Sequence, residues 1–193
     1  MNKDVIPDWN TDGILPPINM ADPTGFERSP YSISLTDLIL RFANTKHRRE
    51  IIKGFMNFRS ALHESGLTEG FQWIDGSFLE NVEKTEERNP NDIDLVTFFI
   101  LPEETSQETL LSSNQDLFNP KRTKDEYNVD AYFVQLNSDE YEMLIRQITY
   151  WYSIWSHRRD GQWKGFIQIE LSGKEDQVAM SNLDAMMKEE DSL

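Results

Sequence analysis

Cysteine is absent from all 193 residues of this chain. Its absence excludes disulfides, thiolate metal sites and a cysteine nucleophile, and it fits a reducing compartment. Long apolar runs are missing as well: none approaches the roughly 18 residues of a membrane span. The opening MNKDVIPDWNTDG carries no apolar stretch of signal-peptide length. The expectation is a cytoplasmic protein with no membrane partner. Positive charge is the third scarcity, with 34 Asp and Glu against 19 Lys and Arg and a formal charge of −15. Extensive binding to duplex DNA or anionic lipid needs a cationic surface that displaces counterions, and is not expected. No Walker-type phosphate loop, zinc signature or Ser-His-Asp order occurs. His47, His63 and His157 stand at no metal-ligand spacing and read as surface residues.

Bulky anchors, by contrast, are plentiful. Five Trp, 6 Tyr and 11 Phe compensate for an apolar fraction of only 38%, so the chain reads as globular and not as an acidic coil. Its length suits one domain with a sizeable core. Residues 1–33 read as an extended arm, punctuated by Pro and Gly, that Trp9, Ile14, Leu15 and Ile18 can pin to the body. Ser34 and Asp37 form a capping-box variant ahead of Leu35, Leu38, Ile39 and Phe42 at helical spacing. A longer helix runs from Lys46 to Ser65, its stripe of Ile51, Ile52, Phe55, Met56 and Leu62 interrupted by Arg59.

The period then changes to that of strands: Phe71–Asp75, the β-former-rich run Asp92–Leu101 stopped by Pro102, Val129–Val134, and Gly165–Leu171. Between them a helix is expected around Ser106–Ser113, and another starting from a Ser138 cap through Tyr141, Leu144, Ile145 and Ile148. Trp151, Tyr152 and Trp155 read as core of that helix. Lys121–Asn128 reads as irregular, and residues 172–193 as an acidic tail with a marginal helix through Val178, Leu183 and Met187. The expected architecture is α+β or α/β-like, one domain over residues 1–171, followed by the tail.

Three features carry chemistry. Asp92 and Asp94, at i and i+2 on a strand, project to one face. Asp130 interrupts an otherwise apolar strand, where an unpartnered buried carboxylate would be costly. Together they make a three-carboxylate site suited to hard divalent cations such as Mg²⁺ or Mn²⁺. Gly76-Ser77, ending the strand before them, permits a tight turn whose N–H groups and hydroxyl can hold phosphate.

The run WIDGSFLENVEKTEERNPNDIDLVTFF, followed by VDAYFV, resembles the nucleotidyltransferase superfamily of DNA polymerase beta type. Within it the chain is most similar to small bacterial proteins of minimal nucleotidyltransferase type, with likeness extending from IPDWNTDGILPP through RREIIKGFMNF to DGQWKGFIQIEL. The resemblance implies a mixed sheet with helices mainly on one face. It implies that Gly76 and Ser77 bind phosphate and that Asp92, Asp94 and Asp130 are the catalytic, metal-binding carboxylates. An NTP, ATP being the first choice, would give its NMP to a hydroxyl on a protein or an RNA. Relatives of this kind suggest a toxin–antitoxin or antiphage setting, in which a catalytically silent member would act as a partner-binding, antitoxin-like subunit. The span between Ser77 and Asp92 departs from the superfamily pattern in length and in its acids Glu80, Glu83, Glu86 and Glu87, which would repel a triphosphate placed against them.

Basic residues complete the inventory. Arg158, Arg159 and Lys164 flank the Asp160-Gly161 turn and can neutralise nucleotide phosphates if it faces the metal site; an exposed basic hairpin is the alternative. Lys46-His47-Arg48-Arg49 opposes the helix dipole and reads as a solvated helix end, or as a contact for RNA or a partner. Lys121, Arg122 and Lys124 carry the same ambiguity. Glu170 is a rival to Asp130 for the third carboxylate.

Overall fold

Residues 6–190 are described by the structure, a computed structural model. Capping decides where the first helices begin. Ser34 and Asp37 bond reciprocally ahead of α1 (Leu35–Phe42), and Thr45 accepts from the Arg48 N–H at the start of α2 (Lys46–Glu64). Two residues before α1, Tyr31–Ser32 form a short strand, β1, which periodicity over two residues cannot reveal. Then follow β2 (Gly70–Asp75), a 3₁₀ turn at Ser77–Leu79 and the single turn α3 (Val82–Thr85). The remaining elements are β3 (Ile93–Phe99), α4 (Gln107–Ser113), α5 (Pro120–Tyr127), β4 (Val129–Gln135), α6 (Tyr141–Trp155), β5 (Ile167–Glu170) and α7 (Asp176–Glu190).

The strands form one mixed sheet in the order β1-β5-β2-β3-β4. β1 lies parallel to β5 and β3 parallel to β4, while β2 runs antiparallel to both of its neighbours. The faces follow from the alternation of side chains. Phe133 packs toward Phe58 of α2 with ring centroids 6.4 Å apart, whereas its neighbour Tyr132 meets Trp151 of α6 at 4.7 Å. So α2, flanked by α5 and α7, covers one face and α6 covers part of the other. The α6 face is aromatic: Trp73 lies 4.6 Å from Phe98 and 5.2 Å from Phe166.

The N-terminal arm is pinned as its apolar residues suggest. Ile14 and Leu15 are buried, and Trp9 Nε1 donates to Leu79 O at 2.7 Å.

Three readings of local structure need correction. Lys121–Asn128 is not irregular: Asn119 caps α5 by accepting from the Lys121 and Arg122 N–H groups, Pro120 opens it, and Asn128 ends it in the left-handed conformation. The cap-Pro start and the Asn stop were visible signals, masked by the lack of apolar residues. Ser138 does not cap α6; it accepts from the Glu140 N–H at 3.2 Å, and Glu140 itself stands at the cap with no side-chain bond. The segment after Ser172 is no marginal helix, since α7 buries Ala179 and Leu183 against the body while Val178 stays exposed.

Arg59, the polar break in the α2 stripe, explains the docking of α7. Its guanidinium is buried and donates to both carboxylate oxygens of Asp176, at 3.0 and 2.8 Å, to Gln72 Oε1 at 2.5 Å, and to the carbonyls of Glu170, Leu171 and Ser172. A buried cation of this kind is tolerated because every donor finds an acceptor.

Candidate metal centre

Strand pairing assembles the site before any side-chain contact does. In the register of the central strands Asp75 faces Asp94 across β2 and β3, and Asp94 faces Asp130 across β3 and β4. The C-terminal end of β2 and the N-terminal ends of β3 and β4 therefore bring three aspartates to one edge, on the α6 face. Asp92, two residues before Asp94, joins them. One oxygen each from Asp92, Asp94 and Asp130 lies within 4.8 Å of the others. The three carboxylates singled out in the sequence do come together. Asp75 is the residue that reading missed: its signal was an acid closing an apolar strand immediately before Gly76.

Gly76 makes the crowding possible. Its φ of +86° belongs to the region that favours glycine, and a Cβ there would run into Asp94 Oδ2. Ser77, half-buried, begins the 3₁₀ turn that follows, so the Gly76-Ser77 pair borders the carboxylates directly.

The electrostatics are those of one sign gathered in a partly dry place. Burial pushes the Asp94 carboxyl up to about 7, helped by the charges of Asp92, Asp75 and Asp130. Burial likewise raises Asp75 to about 6, although Lys164 and the Gly76 amide pull it down. Lys164 Nζ, itself buried, sits 2.8 Å from Asp75 Oδ1 and 3.2 Å from Glu80 Oε1. Those two carboxylates raise the Lys164 ammonium against the opposing effect of burial. On the other side, Lys124 Nζ of α5 lies 2.5 Å from Asp92 Oδ2. Tyr132 neighbours Asp130, and burial together with that charge raises its phenol.

Three glutamates of the acidic insertion are paired with cations, and Glu80, which shares Lys164 with Asp75, also adds to the rise of the Asp75 carboxyl. Glu83 accepts a bidentate pair from Arg48, Nε at 2.6 Å and Nη2 at 2.8 Å, and the same guanidinium donates to the carbonyls of Phe78 and Glu80, both at 2.6 Å. Arg48 is thus a buried clamp on the loop after Gly76, neither a solvated helix end nor an outside contact. Glu80 and Glu86 pair with Arg158 at 3.5 and 3.0 Å. The hairpin basic residues do approach the insertion, but Arg158 and Lys164 reach its carboxylates, and Arg159 is exposed. Glu170 is exposed opposite Phe71, at the far end of β2 from Asp75, and stands apart from the cluster. His47 and His63 are half-buried: His47 donates from Nε2 to Pro90 O and His63 to Leu171 O, while His157 is exposed.

The residues present fit a divalent cation. The donor set is all carboxylate oxygen, the hard set that suits Mg²⁺ and Mn²⁺. Asp92 Oδ2 is buried and makes no well-aligned hydrogen bond among the described residues, only the ion contact with Lys124. The missing Cβ at Gly76 leaves Asp94 Oδ2 its position.

A family model described as "Family of unknown function (DUF6932)" matches residues 7–170. No curated protein and no solved structure matches the chain.

Proposed function

The chain belongs to the DUF6932 family, a family of unknown function, and from that premise we propose that it is a divalent-metal-dependent nucleotidyltransferase. The observation that carries the reading is the gathering of Asp92, Asp94 and Asp130 within 4.8 Å, beside Gly76-Ser77. The reaction proposed moves an NMP from an NTP to a hydroxyl of a protein or RNA acceptor. The acceptor oxygen bonds to the α-phosphorus, the bond from that phosphorus to the bridging oxygen breaks, and pyrophosphate leaves.

Asp92, Asp94 and Asp130 would hold Mg²⁺ or Mn²⁺. When bound, the metal supplies Lewis acidity toward the acceptor oxygen and screens the charge of the triphosphate. Asp130, on β4 and free of a short ion pair among the described residues, takes the proton of the acceptor hydroxyl. The Ser77 hydroxyl and the turn it begins receive the departing phosphates. Arg48 and Lys164 hold the loop carrying them, through Phe78, Glu80 and Glu83. Of the basic hairpin, Arg159 is the exposed cation that can meet a nucleotide phosphate without first leaving a carboxylate.

The test is incubation of the full chain with each labelled NTP, Mg²⁺ or Mn²⁺, and a bacterial lysate. Label on a protein or RNA band, abolished in both Asp92→Ala and Asp94→Ala, is the expected result. Undiminished labelling by the variants would overturn the mechanism.

A second reading is a fold-retaining subunit that binds a partner without catalysis. It is favoured by the exposed Tyr141, Met143, Ile145 and Tyr150 of α6. Absence of label in every reaction, with a partner retained by the purified chain, would turn the choice toward it.

A further inference from the structure

Two lysines reach the strand-end aspartates, and their surroundings differ. Lys164 has a side chain only 6% exposed and is held by two carboxylates, Asp75 and Glu80, so withdrawing its ammonium would strand buried charge. Lys124 comes from α5, has a side chain 51% exposed, and touches the cluster through Asp92 alone among the ion pairs formed there. Its flexible stem can carry the ammonium back to water without uncovering apolar surface. Asp92, by contrast, is 11% exposed in its side chain and cannot follow.

The position of Lys124 is built, not incidental. Gly54, in the middle of α2, has no room for a Cβ because the Tyr127 carbonyl at the end of α5 occupies that space. α5 is thereby seated against α2, and Asn128 turns the chain directly into β4, which carries Asp130. The helix that delivers Lys124 and the strand that delivers Asp130 are one continuous unit.

We propose that Lys124 is a tethered counter-cation of the Asp92–Asp94–Asp130 group, which a divalent ion must displace in order to bind. This rests on the reading of those aspartates as a metal centre, and it adds a determinant of affinity and ionic selectivity outside the ligands. One ammonium balances one of three carboxylates; a divalent ion contacting all three balances more, and wins at a cost set by Lys124. A monovalent ion offers no such advantage and does not displace it. Once released, the lysine leaves a mobile positive charge at the rim of the site.

The experiment is calorimetric titration of Mn²⁺ alone into the full chain, wild type beside Lys124→Met, Lys124→Arg and Asp94→Asn, with thermal melts to verify folding. Lys124→Met is expected to bind Mn²⁺ about tenfold more tightly than wild type, equivalent to about 1.4 kcal/mol. Lys124→Arg, which keeps the charge, should stay near wild type, and Asp94→Asn should lose the binding. Binding to Lys124→Met alone, with wild type silent, would support displacement in its strongest form. Equal or weaker affinity in Lys124→Met, with binding still lost in Asp94→Asn, would overturn the role of Lys124 while leaving the metal centre standing. Affinity in Lys124→Arg as tight as in Lys124→Met would also overturn it, since charge would then not be the cause. Silence of wild type and Lys124→Met alike would overturn both the metal reading and this one.

Discussion

Arg59, on the sheet-facing side of α2, and the Asp92–Asp94–Asp130 group, on the opposite face of the same sheet, are both charge taken out of water. Around Arg59 each guanidinium nitrogen meets an acceptor, and Asp176 supplies the opposite charge in bidentate geometry. Around the aspartates like charges face one another; among the described residues the half-exposed Lys124 touches Asp92, and Lys164 is held by the adjoining Asp75. The first arrangement ties α2, β2, the end of β5 and α7 together. The second costs stability as it stands, which a bound cation would relieve. Burial alone does not separate a satisfied charge from an unsatisfied one; the sign of the neighbours does.

The comparison can be broken at either end. Arg59→Met leaves Asp176 and Gln72 without their partner and should cost the most, about 3–5 kcal/mol, read as a lower urea midpoint with α7 released. Glu83→Gln, which weakens the equivalent clamp of Arg48, is expected to cost about 2 kcal/mol at pH 7. Burial alone would raise the Glu83 carboxyl, but Arg48 outweighs it and holds the group below its ordinary 4.5. A depressed carboxyl contributes its stability above that ordinary value and loses it as pH falls through the lower, folded one. The gap between wild type and Glu83→Gln should therefore be full at pH 7 and close progressively below pH 4.5. A gap that persists unchanged under acid would contradict the ion-pair account. Asp94→Asn should have the smallest effect and the opposite sign. With chelator present at pH 8, removing one of the clustered charges should stabilise the fold by about 1 kcal/mol. Destabilisation by that substitution would mean the aspartates are satisfied like Arg59, and the contrast would fail.

Much of this was legible in the order of residues. The α1 cap, the α2 stripe, the four longer strands and the Asp92, Asp94 and Asp130 set could all be read because each depends on a local period or a local cap. α5 was missed because its polar composition hides a helix that is held by its ends and by the close approach at Gly54. β1 was missed because two residues carry no period. The paired roles of Arg48, Arg59 and Lys164 were invisible for a different reason. Each one's partner lies far away in the chain, and an isolated basic residue in a sequence defaults to the surface. The acidic insertion was misjudged in the same way, as free charge, when Arg48 holds Glu83 and Arg158 holds Glu80 and Glu86.

The sequence by itself determined the caps of α1 and α2, the four longer strands and the approach of Asp94 and Asp130 on two of them, with Asp92 one residue ahead of β3, because capping and alternation act within a few residues. It also set the charge of −15. Only the tertiary structure decided what each charge does. Register placed Asp75 opposite Asp94 and Asp94 opposite Asp130, and packing buried Arg48, Arg59 and Lys164 among acceptors. The same packing left Lys124 at the mouth of the cluster. A charge has no partner until the chain folds, and its energy depends on the distance and burial that folding alone supplies.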